Sequence, residues 1–70
     1  MLDHGAALLE EMVVLRKAKG ISQAELAARS GMTQPAIARL EKGKAVPTIE
    51  TFCQLAEALG AKVTLTEMAK

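Results

Sequence analysis

The stretch that most constrains the chain runs from Gly20 to Gly43, with the sequence Gly-Ile-Ser-Gln-Ala-Glu-Leu-Ala-Ala-Arg-Ser-Gly-Met-Thr-Gln-Pro-Ala-Ile-Ala-Arg-Leu-Glu-Lys-Gly. It reads as two short helices joined by a tight turn. Ser22-Gln-Ala-Glu25 has the spacing of a capping box, in which the Ser22 hydroxyl accepts from the Glu25 N–H and the Glu25 carboxylate reaches back to the Ser22 N–H. The first helix therefore starts at Gln23, places Leu26, Ala27 and Ser30 on its inner face, and ends at Gly31, which tolerates the left-handed conformation of a helix stop. Thr33 then caps a second helix, and Pro35 lies in its first turn, where a missing N–H costs no hydrogen bond. That helix spans residues 34–42. Ile37, Leu40 and Glu41 face inward, Gln34, Pro35, Ala38, Arg39 and Lys42 face outward, and Gly43 stops it.

Two helices crossing closely need a small residue where their backbones approach, a left-handed residue at the corner and apolar anchors behind the second helix. Ala27, Gly31, Ile37 and Leu40 supply these in order. On these residues the chain resembles the helix-turn-helix of the Xre or Cro/repressor family, over about Met12 to Leu59. The resemblance implies an all-α fold, a lambda-repressor-like bundle of four to five helices.

The flanking segments fit such a bundle. Over residues 8–19, Leu8, Met12, Leu15 and Lys19 trace one stripe and Leu9, Val13 and Arg16 its neighbour, giving an amphipathic helix that ends at Gly20. Val14 is left at an edge, and Asp3 is a candidate cap upstream. Arg16 lies near the apolar side, where an unpaired cation is costly, and Glu41 on the inner side of the second helix is the acceptor at hand. The family resemblance implies a partly buried Arg16–Glu41 bridge. Beyond Gly43, Val46 is placed to plug the core and Pro47 disfavours helix at its predecessor. Thr48 caps a further helix whose buried face is Ile49, Phe52, Cys53, Leu55, Ala56 and Leu59, terminated by Gly60.

In the tail, Lys62-Val63-Thr64-Leu65-Thr66 changes period from 3.6 to 2, the pattern of a half-buried strand. One strand is unstable alone, and nothing else in the chain reads as its partner, so the expected partner is the same strand of a second copy, with Val63 and Leu65 in the dimer contact. A short terminal strand of this kind is similar to Xre-type antitoxins of the HigA and HipB sort. An extra helical turn through Glu67 and Met68, or no regular structure from Thr66 onward, are the other readings. The expected organisation is a helix-turn-helix domain over residues 1–61 and a tail, a candidate dimerisation segment, over 62–70.

Composition narrows the function. Seventy residues, half of them apolar, allow one domain, and one this small buries only about 60% of its unfolded surface, which favours a homodimer. Its only aromatic residue is Phe52. The single cysteine, Cys53, excludes an intrachain disulfide and reads as a small core residue, and His4 has no partner at metal-binding spacing. No metal and no cofactor is expected. The sequence shows no export leader and no run long enough for a membrane span, so the expected location is cytoplasmic. No phosphate-binding glycine loop, zinc pattern or nucleophile elbow is present, and no catalysis is expected.

The net charge is only +1, but it is unevenly placed. Between Arg16 and Lys44 seven basic residues stand against two acidic ones, the distribution of a phosphate-facing surface. The family resemblance assigns the roles. Gln23, at the first helix N-terminus, matches a phosphate-contacting glutamine, and Gln34 is the principal base reader, able to bond adenine N6 and N7. Arg39 bonds guanine or a phosphate, Pro35 offers only an apolar edge to a thymine methyl, and Thr33, Lys42 and Lys44 are backbone contacts. The expected function is that of a repressor binding a palindromic operator in double-stranded DNA as a homodimer, with half-sites about 34 Å apart, of a kind that also includes antitoxins. The alternative is a protein-binding module that neutralises a toxin protein, with DNA contact secondary.

Overall fold

The computed structural model describes residues 4–64, with side chains from Ala7 onward. Four helices follow one another, α1 His4–Ala18, α2 Gln23–Ser30, α3 Gln34–Glu41 and α4 Ile49–Ala58. α1 begins a turn earlier than the apolar pattern predicts, despite Gly5, whose backbone freedom disfavours helix. α3 ends at Glu41, and Lys42 is its cap rather than its last residue. The expected cap Asp3, and Leu65 to Met68 of the expected tail strand or turn, lie outside the described residues. Lys62, Val63 and Thr64 form no strand within the chain.

The joints are held as their sequences dictate, with one departure. Ser22 Oγ accepts from the Glu25 N–H at 3.0 Å, Thr33 Oγ1 from the Ala36 N–H at 3.3 Å, and Thr48 Oγ1 from the Thr51 N–H at 3.1 Å. Each satisfies one of the donors that a helix start leaves over, a contribution of about 1 kcal/mol. The return arm of the capping box is not made, because the Glu25 carboxylate takes the Arg29 guanidinium one turn on, at 2.5 Å. Gly31 adopts φ +76° and its N–H closes back on the Ala27 carbonyl, so the chain turns sharply from α2 into α3.

α2 packs on α3 and α4, and α1 on α3. Met12, Ile21, Leu26, Ala27, Ile37, Leu40, Leu55 and Leu59 form the core, with Leu9, Leu15, Met32, Ala45, Phe52 and Ala58 packed against it. Leu26, Ile37 and Leu55 are fully enclosed, so truncating any of them to Ala costs about 2–5 kcal/mol. In a domain whose whole stability is about 4–10 kcal/mol, each is close to indispensable.

The apolar pattern overstates the interior at four places, of which Leu8, at the head of the α1 stripe, is 42% exposed. Val46 is 91% exposed and Ile49 78% exposed. Ala45, one residue earlier, packs against the core in place of Val46, and α4 meets the core only from Phe52 onward, leaving its first turn outside. Lys19, on the expected stripe of α1, lies beyond the helix end and turns its amine onto the Leu59 carbonyl at 2.6 Å. It thereby ties the end of α1 to the end of α4.

Candidate nucleic-acid interface

The site is built outward from a buried ion pair. Arg16 on α1 donates through Nε and Nη2 to the two carboxylate oxygens of Glu41 on α3, both at 2.8 Å, and through Nη1 to the Ile21 carbonyl, also at 2.8 Å. Both side chains are 8% exposed. The fork geometry matches guanidinium to carboxylate, which fixes the relative placement of α1 and α3 along two parallel bonds. Burial pushes the Glu41 carboxyl up, but hydrogen bonds from Arg16 and Gln23, with the charges of Arg16 and Lys17, outweigh it and hold the group below its ordinary value.

From Glu41 a second line of bonds runs to the surface. Gln23, first residue of α2, donates its Nε2 to Glu41 Oε1 at 2.9 Å, and its own Oε1 accepts from Gln34 Nε2, first residue of α3, at 3.1 Å. The direction of this line follows from chemistry. An ionised carboxylate only accepts, so Gln23 must present its amide nitrogen inward and its oxygen toward Gln34. Gln34 therefore holds its amide by one hydrogen, leaving the other hydrogen and Oε1 available at an exposed position.

The outward side of α3 is placed as its sequence predicts. Thr33, Gln34, Pro35, Arg39 and Lys42 are exposed, as is Lys44 just beyond, while Ile37 and Leu40 are buried behind them. Gln23 is half-buried between this face and Glu41. The structure also redistributes the basic residues. Glu41 neutralises Arg16 and Glu25 neutralises Arg29, so both acidic groups of the central stretch are consumed. Lys17, Lys19, Arg39, Lys42 and Lys44 have no carboxylate partner among the described residues. Two residues that sequence reasoning missed support the assembly. Ile21 is buried and lends its carbonyl to Arg16; its position directly after Gly20 was the available signal. Gln54 of α4 donates to the Ser30 carbonyl at the end of α2, a long-range contact that no spacing rule announces.

The family model for helix-turn-helix proteins matches residues 14–68. The chain belongs to the helix-turn-helix family of Xre-type transcriptional regulators. An uncharacterised HTH-type transcriptional regulator of Haemophilus influenzae is 40% identical over 62 residues, covering 89% of this chain and 63% of the relative. Antitoxin HigA1 of Mycobacterium tuberculosis is 36% identical over 63 residues, covering 90% of this chain and 42% of the antitoxin. A solved structure titled as a toxin-antitoxin module from Streptococcus pneumoniae superposes with a TM-score of 0.72 at 36% identity, covering 96% of this chain and 74% of the other. The chain thus spans less than two thirds of the length of the two proteins matched by sequence. Among the described residues no helix is long and apolar enough to cross a membrane, and no cluster of potential ligands is arranged to hold a metal ion.

Proposed function

We propose that this helix-turn-helix protein is a cytoplasmic DNA-binding repressor that reads a palindromic operator as a homodimer. The observation that carries the reading is the exposed edge of α3, where Gln34, Pro35, Arg39 and Lys42 stand free beside a cationic surface whose two carboxylates are already spent on internal pairs. With α3 in a major groove, the free hydrogen and oxygen of the Gln34 amide match adenine N7 and N6. Arg39, one turn on, reaches guanine or a phosphate. Thr33, Lys42 and Lys44 take phosphates, as does Gln23 at the start of α2, where helix N–H groups favour an anion. Pro35 contributes an apolar edge only. With so few readers per copy, specificity comes from repeating them in a second half-site about 34 Å away.

The likeness to an antitoxin and to a toxin-antitoxin module supports a second role, binding of a toxin protein encoded beside it. The test of that role is co-purification with the product of the adjacent reading frame.

The test of the DNA reading is Arg39→Ala. Binding to the operator should weaken by about 1–3 kcal/mol per half-site while binding to unrelated duplex changes little. Equal losses on both would remove Arg39 from the readers.

A further inference from the structure

Gln34 is exposed, and among the described residues its amide makes one hydrogen bond, from Nε2 to Gln23 Oε1 at 3.1 Å. A glutamine amide is nearly symmetric in shape but not in chemistry. A half-turn of its last torsion exchanges an end that only donates with an end that only accepts. Which end faces outward is therefore set by what the inner end touches. Here that is Gln23, an amide with the same ambiguity, which in turn donates to Glu41 Oε1 at 2.9 Å. Glu41 has no such freedom. Arg16 grips its two oxygens through Nε and Nη2, both at 2.8 Å, and burial is outweighed by the bonds from Arg16 and Gln23, so the carboxyl titrates below its ordinary value and stays an acceptor.

We infer that Glu41 is a positioning residue for base choice: acting through Gln23, it turns the carbonyl end of Gln34 outward and so commits α3 to adenine rather than guanine. The inference deepens the DNA reading above and rests on it, whereas the polarity of the line is a property of the protein alone. The two purines share the N7 acceptor in the major groove and differ beside it, where adenine carries the N6 amino donor and guanine the O6 acceptor. With its nitrogen held by Gln23, Gln34 offers an oxygen and one hydrogen, the complement of adenine. With the line reversed, Gln34 would turn its oxygen to Gln23 and offer two hydrogens, the complement of guanine.

Joining α1 to α3 does not require the charges to stand in this order. A pair with the carboxylate on α1 and the cation on α3 would tie the helices together as well, but it would present a donor to Gln23 and reverse both amides. Placing the acceptor on α3 is thus what carries the base choice, separately from what holds the fold. Arg39 supplies the contrast. It is exposed on the same face and its guanidinium takes no part in the line of bonds, so its readout is independent of the charge at Glu41.

The experiment has two arms, both on the full chain. In the first, duplexes are selected from a randomised pool at fixed salt, Gln34→Ala and Arg39→Ala locate the base pair each residue reads, and affinities are compared for adenine and guanine at the Gln34 position. The wild type should favour adenine by at least about fivefold. Arg16→Met combined with Glu41→Leu removes the buried charges together, and circular dichroism confirms that it folds. In this variant the preference at the Gln34 position should collapse to about even, while that at the Arg39 position stays as it was. A general loosening of the fold would lower both. A wild type that favours guanine, or a double variant that keeps the adenine preference, overturns the inference. The second arm is nuclear magnetic resonance of the labelled wild type without DNA. Gln23 Nε2 and Arg16 Nη2 donate to the same oxygen of Glu41, so their protons should give a cross-peak, and its absence overturns the inference whatever the variants do. A wild type that shows the cross-peak but prefers no base in any duplex sinks the regulator, and the base choice with it, while the polarity of the line stands.

Discussion

The Arg16–Glu41 pair offers the sharpest test of how this small domain holds α1 against α3. Arg16 makes three hydrogen bonds and Glu41 accepts three, both nearly out of solvent. Arg16→Met strands the carboxylate, and Glu41→Leu strands the guanidinium. In either case the charge left behind is buried without its partner, at a cost of about 3–5 kcal/mol. Set against a total of about 4–10 kcal/mol for 70 residues, each single variant should be largely unfolded at 37 °C, with a midpoint lowered by roughly 15–30 °C. The double variant removes both charges. It loses only the bonds to the Ile21 carbonyl and from the Gln23 amide, each about 1 kcal/mol, and should fall within about 2 kcal/mol of the wild type. Urea unfolding followed by circular dichroism is the assay, since the chain has no Trp or Tyr to report by fluorescence. If the double variant is as unstable as the two single losses combined, the pair is not coupled and its burial has been misread.

Three further outcomes concern stability and the salt dependence of duplex binding. Because the folded Glu41 carboxyl lies below its unfolded value, it adds stability that is fully present above about pH 4.3 and is lost as pH falls through the lower folded value. Glu41→Gln should therefore flatten the acid limb of the stability curve; an unchanged limb would place the titration elsewhere. Gly31→Ala should destabilise by about 1–2 kcal/mol, since the added Cβ meets nothing closer than the Gln54 amide at 3.8 Å and the penalty is left-handed strain alone. A neutral result in urea would contradict the observed turn. Lys44→Ala should reduce the slope of log affinity against log salt by about 1 per copy on any duplex, and an unaltered slope would take Lys44 off the phosphates.

Much of the fold was legible because local signals and tertiary needs agree. Ser22, Thr33 and Thr48 each precede a helix and do cap it, and Gly31 does turn the corner, since the hydroxyl or the freedom of φ acts within three residues of its own position. Periodicity failed where burial depends on partners distant in sequence. Ile49 has the right spacing for the inner face of α4, but the core ends at Phe52. Val46 is apolar and adjacent to a residue that does pack inward, and no period distinguishes it from Ala45. Lys19 continues the stripe of α1 by count, yet its helix ends first and its amine finds a carbonyl 40 residues away. Glu25 had two acceptable donors within reach, and an Arg one turn on outcompetes a backbone N–H because both partners are charged.

The candidate site was legible residue by residue but not as a connected object. Spacing places Gln23 and Gln34 at two helix starts, and nothing in the sequence says that each amide is oriented by what lies beneath it. The structure supplies the missing link in the acceptor-only carboxylate of Glu41, which dictates that Gln23 point its nitrogen inward and offer oxygen to Gln34. The exposed amide of Gln34 is thereby set by a carboxylate paired within the protein. If α3 enters a groove as proposed, an amide held this way does so with one rotamer already selected, and the ordering cost of about 0.5–1.5 kcal/mol for such a side chain is met on folding rather than on binding. On the proposed reading the buried pair serves recognition through that route: it adds little net stability, but without a charge at Glu41 the polarity of both glutamines is undetermined.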